Sequence, residues 1–362
     1  MSLVVETIYM HNFRNFEEKQ LSFSPQITIL HGRNAVGKTN TIEALQLITT
    51  GSSFRHPKTK ELILDGSEQA QVKAHIRGDG RFIDIELQAK ESSKTFEING
   101  KRRRSSDVSG TLMSVLFCPD DLALVKGSAS KRRDDLDSFG SQASKAYYRL
   151  VRAYQKTVEQ RNHLLKDMAC NVGLLDAWDQ SLAVGAGTLL SHRLSLFSKL
   201  KECFLEAASE LVPAQHVDVF YQTKTRDDIS EMSKDELIEY MVNQVFLARA
   251  EDMRRQQTTV GPHRDDIVFL IDGKDARDFG SQGQQRALVL SWKMAQLRLA
   301  EKISGSPALL LLDDVMSELD DIRRSAVLSF FNNHVQTVIS TTNLGYFSGK
   351  ELKTAEVISY GE

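Results

Sequence analysis

Gly32-Arg33-Asn34-Ala35-Val36-Gly37-Lys38-Thr39 matches the pattern G-x-x-x-x-G-K-[ST], and no other feature constrains this chain as strongly. The motif follows an apolar, β-branched run, Ile27–Leu30, and opens a helix expected from Lys38 to about Ile48, where Ile42, Leu45 and Ile48 recur every three residues. Strand, glycine loop and helix are the setting in which backbone N–H groups turn inward around phosphates and the helix N-terminus adds positive potential. Lys38 is then the bridge between β- and γ-phosphates, and the Thr39 hydroxyl a ligand for Mg²⁺. The ligand implied is a nucleoside triphosphate such as ATP.

Such a loop needs a parallel strand carrying carboxylates beside it. Leu309-Leu310-Leu311-Leu312-Asp313-Asp314 reads as a buried strand ending in two acids. Beside the phosphate-loop strand it would deliver Asp313 to the Mg²⁺ and set Asp314 to orient an attacking water. The two halves of this site lie at opposite ends of the chain, so one α/β domain is expected to draw on both ends. The middle reads differently. From Ala143 to Leu211 there are few glycines and no proline, and Tyr147, Leu150, Val151 and Tyr154 recur at helical spacing. Long helices are expected there, broken near Asn171–Gly173 and ended by Pro213. Short strands are expected at Leu3–Tyr9, Ile83–Leu87, Thr95–Ile98, Val217–Tyr221, Asp266–Ile271 and Thr337–Thr341. Asn99-Gly100 marks a hairpin turn, and amphipathic helices are expected at Lys234–Arg255 and Ser281–Lys302. The expected division is 1–125 for the first part of an ATPase head, 126–245 for a mostly helical insertion, and 246–362 for the rest of the head.

Composition excludes several classes. The chain has 362 residues, 41% of them hydrophobic, so it is not a disordered chain. Its longest apolar stretch is far short of a membrane span, and Met1–Glu6 lacks the basic and apolar regions of a secretory signal. Forty-six basic against 48 acidic residues give a net charge of −2, so any DNA contact must rest on local positive charge or on dimerisation. Cys118, Cys170 and Cys203 are odd in number and fit neither a zinc site nor a disulfide frame, which suits reduced thiols in the cytoplasm.

Ser281-Gln282-Gly283-Gln284 opens a helix leading to the acidic strand, and Ser317-Glu318-Leu319-Asp320 follows that strand. Ser281 is also a good N-cap in its own right. The order of phosphate loop, Ser-x-Gly-Gln, acidic strand and Ser-x-Leu-Asp resembles the ATP-binding cassette ATPases, in which the serine–glycine motif of one subunit completes the ATP site of another. Almost the whole chain further resembles the RecF family of bacterial recombination-mediator ATPases. The resemblance is carried by His11–Phe16, Gly32–Asn40, Phe117–Leu122 with Val125–Ser128 and Arg132-Arg133, Gln160-Arg161-Asn162, Val260–Asp266 and Gly280–Arg286. It implies an ABC-type, SMC-like head with a helical insertion lobe and an ATP-dependent homodimer. It also implies binding to single-stranded or gapped DNA and single-/double-strand junctions, and action with RecO and RecR in loading the RecA recombinase and supporting the SOS response. By the same resemblance Ser281 and Gly283 contact nucleotide in trans. The departures are Ala129, Asp135, the absence of a histidine after Thr337–Thr341, and Asp314 where transport-type cassettes carry glutamate. The shorter Asp314 implies slow hydrolysis, which suits a switch.

A transporter subunit fits less well, because the insertion is too long and Pro119–Arg133 fills the place of a coupling loop. A chromosome-structural cassette fits less well too, because the insertion has no sustained heptads. Two basic clusters, Lys101–Arg104 and Lys131–Arg133, each admit two readings, a solvated loop or a contact to DNA phosphate. His263 and Arg264 likewise either pin their loop or serve a partner.

Overall fold

The computed structural model describes residues 2–167, 172–212, 215–225, 227–330 and 335–361. Cys170, Asn171 and Pro213 lie outside them. Two compact units result: residues 1–121 with 292–362, and residues 122–291.

The first unit joins both ends of the chain through one parallel sheet. Its strands run in the order Glu356–Tyr360, Ile27–Gly32, Thr337–Thr341, Leu309–Asp313, Ser114–Phe117. Every pairing is parallel, and Asp313 falls opposite Ser340 while Thr341 falls opposite His31. The central strands Leu309–Asp313 and Thr337–Thr341 are buried at every position, as a parallel strand covered on both faces must be. A second, antiparallel sheet has the order Phe16–Ser22, Val4–Phe13, Gln69–Gly78, Arg81–Lys90, Ser93–Ile98, Lys101–Arg103. The helix Lys38–Thr50 fills the space between. Its Ile42, Leu45, Leu47 and Ile48 are fully buried and share one core with Ile8, Met10, Phe13 and Leu87 of one sheet and Leu309, Leu311 and Val338 of the other. At about 1.5–3 kcal/mol per buried large aliphatic side chain, this core is what holds the phosphate loop rigid.

The second unit is helical but not wholly so. Helices Ala129–Ala143, Lys145–Lys166, Val172–Leu211 and Lys234–Arg255 pack with a three-stranded sheet, Lys274–Asp275, Asp266–Ile271, Val217–Gln222. Here the expected boundaries need correction. Residues 246–291 fold with this unit and not with the head, because Asp266–Ile271 pairs antiparallel with Val217–Gln222 along its whole length. Buried ion pairs tie the helices together: Arg161 to Asp252 and Asp179, and Arg193 to Asp137. Cys118 and Cys203 are buried and share no disulfide among the described residues, and no helix among the described residues is long and apolar enough to cross a membrane.

Candidate nucleotide site

The site stands at the C-terminal ends of the parallel strands, where α/β sheets place their ligands. The loop after Ile27–Gly32 bends through Ala35, whose φ of 68° is left-handed, and Gly37, at φ 107°. A Cβ on Gly37 would lie 2.4 Å from the Phe16 ring, so only glycine fits there. Lys38 is buried, and its ammonium donates to the carbonyls of Gly32 at 2.8 Å and Arg33 at 2.7 Å. Burial lowers its pKa, and the charges of Asp314 and Asp313 oppose that shift. Arg33, Asn34 and Ala35 are exposed on the outside of the loop, while Val36 is half-buried.

Thr39 and Asp313, 274 residues apart in sequence, meet here: the Thr39 hydroxyl donates to Asp313 Oδ1 at 2.9 Å. Ser340 donates to the same oxygen at 2.7 Å and accepts from the Asp314 N–H at 3.0 Å. Asp314 sits at φ 54°, a left-handed conformation strained for a residue other than glycine. Its Oδ1 is buried and has no hydrogen-bond partner. Burial raises its pKa, Lys38 pulls it down, and Asp313 and Glu318 push it up again. A buried carboxylate oxygen without a protein partner costs about 1–3 kcal/mol. These donors suit a polyphosphate with a divalent cation: a glycine cradle, one ammonium, one hydroxyl and two carboxylates.

Several supporting residues were not anticipated. Glu43 is fully buried on the phosphate-loop helix. It accepts from Arg14 Nε at 2.9 Å, Arg14 Nη2 at 2.6 Å and Ser53 Oγ at 2.5 Å. Arg55 reaches Asn40 at 2.9 Å, and Asn40 donates to Asn15 at 2.7 Å. The segment His11–Phe16 thus braces the first turn of the helix. Tyr360 closes the other side, its hydroxyl 2.7 Å from Thr41 Oγ1.

Ser281 and Gly283 belong to the second unit, whereas the phosphate loop belongs to the first. Ser281 is exposed and caps its helix reciprocally, accepting from Gln284 N–H at 3.2 Å while Gln284 Oε1 accepts from Ser281 N–H at 2.7 Å. Asp320 accepts from the Arg323 N–H at 2.9 Å at the start of helix Asp321–Phe330.

The family model described as the RecF/RecN/SMC N-terminal domain matches residues 4–357. The chain belongs to the RecF family. A DNA replication and repair protein RecF from Lachnoclostridium phytofermentans is 36% identical over 361 residues, 98% of this chain and 97% of that relative. One from Symbiobacterium thermophilum is 36% identical over 345 residues, 94% and 92% of the two chains. Among solved structures, the recombination mediator protein RecF-ATP in the RecFOR pathway superimposes with a TM-score of 0.89 at 31% identity, over 96% of this chain and 94% of that one. An Smc head bound to the C-winged helix domain of ScpA, at 16% identity and a TM-score of 0.56 over 98% and 93% of the two chains, shares the fold. The chain is therefore an ATPase-family head of the RecF type, with the SMC-like α/β fold expected from its motifs.

Other RecF-family segments prove to be scaffold of the second unit. Arg161 is fully buried between Asp179, Asp252 and the Thr258 hydroxyl, and Asn162 accepts from Thr258 N–H at 2.6 Å. His263 donates through Nε2 to the Thr258 carbonyl at 3.2 Å, so its Nδ1 accepts from Tyr154 at 2.6 Å. Burial above all, and then the surrounding arginines, press its pKa down to about 4. Arg264 donates to the same Thr258 carbonyl and to Gln257. Both residues pin the loop.

The reading of Lys131–Arg133 as a surface trio is corrected. Consecutive helical residues point about 100° apart, so Arg132 turns inward and grips Asp266 through Nε at 2.6 Å and Nη2 at 2.9 Å. Arg133 donates to the Asp265 carbonyl at 2.6 Å, and only Lys131 is exposed. Lys101–Arg104, by contrast, is exposed throughout.

Proposed function

We propose that this protein is an ATP-driven switch of DNA replication and recombinational repair. Two copies close head to head over two ATP molecules. The closed dimer holds single-stranded or gapped DNA and strand junctions, acts with RecO and RecR to load RecA, and supports SOS induction. A weak, DNA-stimulated hydrolysis resets it. The observation that carries the reading is the meeting of Lys38, Thr39, Asp313 and Asp314 at the C-terminal ends of the parallel strands. Residues 32–39 hold the phosphates, Lys38 bridges the terminal two, and Thr39 and Asp313 hold Mg²⁺. When bound, that ion neutralises charge on the phosphates. Asp314 orients the attacking water and takes up its proton. Ser281 and Gly283 complete the site of the opposite subunit. A role like that of its DNA replication and repair relatives supports a cytoplasmic place of action.

The test is paired binding of ATP and gapped DNA. Lys38→Met removes the ammonium and keeps a good helix former, so the folded variant should lose ATP affinity and, with it, ATP-dependent DNA binding. A folded Lys38→Met protein that binds ATP normally would overturn the assignment.

A further inference from the structure

One feature of the second unit has no part in holding nucleotide. A cleft of about 380 Å³ opens between the start of helix Ala129–Ala143 and the loop Gln257–Arg264. Arg133, Lys224, Arg255 and Arg264 line it, and no aspartate or glutamate is among its described lining residues. Two segments distant in sequence, around Arg133 and around Arg264, converge on it.

The positive charge there is poorly compensated. Arg133 and Arg264 are anchored, but through neutral carbonyl and amide oxygens: Asp265 O for the first, Thr258 O and Gln257 Oε1 for the second. The Lys224 side chain is exposed and makes no ion pair among the described residues. Arg255 pairs with Glu251 on the exposed face of their own helix. His263 registers the resulting potential: burial first, and then the charges of Arg264 and Arg133 with that of Arg193, depress its pKa. The N-terminus of a 15-residue helix borders the same space, while the Ser130 and Thr259 hydroxyls there already donate to Asp134 at 3.1 Å and Asp252 at 2.6 Å. Fixed arginines, an adaptable lysine and a helix N-terminus are the donor set of a phosphate site. Among the described residues the lining has no Phe, Tyr or Trp, and both nitrogens of His263 are already used, so no ring there reads a base edge. The volume is several times that of one phosphate ion, and the cations are spread along it.

We propose that this cleft grips the sugar-phosphate backbone of the DNA, a second-unit contact independent of sequence. The inference rests on the DNA-binding reading above and adds where the strand is held. Lys224 and Arg255 are the residues to change, because both are exposed and neither holds the loop.

The experiment measures binding of the full chain to gapped DNA, with saturating ATP, between 0.05 and 1 M salt. Each lost phosphate contact lowers the log–log salt slope by about 0.7 for single strands or 0.9 for duplex. Lys224→Gln with Arg255→Gln should lower it by about 1.4–1.8. That corresponds to binding about 15- to 30-fold weaker at 0.15 M salt, referred to 1 M. ATP affinity, ATP-dependent dimerisation and the melting temperature should stay at wild-type values. An unchanged slope, with wild type binding DNA normally, overturns the cleft assignment alone. A wild type that binds no DNA with ATP overturns the functional reading as well. Loss of dimerisation in parallel with DNA binding also overturns the proposal, because the cleft would then serve the nucleotide-driven contact.

Discussion

Arg132→Met separates scaffold from surface. Arg132 is 2% exposed. Its fork to Asp266 is bidentate, and its Nη1 also donates to the carbonyls of Leu124 at 3.1 Å and Gly127 at 2.9 Å. Methionine keeps the stem and the volume but leaves the Asp266 carboxylate with the Ile267 N–H at 2.7 Å and, as its one remaining cation, Arg277, at 3.1 Å and partly exposed. Removing one partner of a buried pair costs about 3–5 kcal/mol, against at most about 1 kcal/mol for an exposed pair. For a unit of this size each kcal/mol shifts the midpoint by about 2–4 °C, so the second unit should melt about 6–20 °C lower. The effect should fade in acid. Burial pushes the Asp266 pKa up, but the bond and charge of Arg132 outweigh it and hold it below the ordinary value. Its stabilisation is thus present above the unfolded pKa and is lost as pH falls through the folded one. Urea titration of the full chain, with hydrogen exchange to assign the transition to Ala129–Ala143, gives the measurement. A loss under about 1 kcal/mol would refute the burial argument. A smaller DNA salt slope at unchanged stability would return Arg132 to the DNA surface.

The two acids of the nucleotide site should part company. Asp314→Asn should keep ATP and Mg²⁺ but hydrolyse about 10²–10⁴-fold more slowly, and should persist on DNA after an ADP chase; equal lifetimes with hydrolysis abolished would uncouple release from hydrolysis. Asp313→Asn should instead weaken Mg²⁺-dependent binding, read by nucleotide titration with and without the ion. In the second unit, His263, with its pKa at about 4, makes stability fall as pH drops from about 6.5, while Asp265, raised by burial to about 6, makes it fall as pH rises through the same range. The two slopes should largely cancel between pH 4 and 6 in wild type. His263→Gln should then lose stability with rising pH and Asp265→Asn gain it, each by up to about 1.4 kcal/mol per pH unit; parallel profiles for all three proteins would refute the assigned directions.

The phosphate loop and the acidic strand were legible because each needs specific residue types at short, fixed spacing. Their meeting across 274 residues followed from chemistry, since Thr39 and Asp313 are useful only together. Ser340, which holds Asp313, carried no such signal: a serine in an apolar strand reads as filler until the register sets it opposite an acid. The strand Gln69–Gly78 did carry one. Ala70, Val72, Ala74 and Ile76 alternate with polar residues, but alanine is a weak strand former and dilutes the pattern. The boundary expected at 245 failed because composition does not report pairing partners. The ladder from Val217–Gln222 to Asp266–Ile271, with the ion pairs Arg161–Asp252 and Arg132–Asp266, assigns residues 246–291 to the second unit. A run of basic letters likewise hides its geometry. Lys101–Arg103 lies on an exposed edge strand, whereas in Lys131–Arg133 the helix turns Arg132 into the interior.

Sedimentation velocity of the full chain without nucleotide, with ADP and with ATP tests the switch most directly, alongside Ser281→Arg. By the proposed dimer, arginine at this exposed helix start should spare ATP binding by its own subunit while blocking the approach of a second. The account predicts monomer without nucleotide and with ADP, and dimer with ATP. For Ser281→Arg it predicts monomer under all three conditions with normal ATP affinity. A wild type whose association state ignores ATP, or a Ser281→Arg protein that dimerises as wild type does, would contradict it.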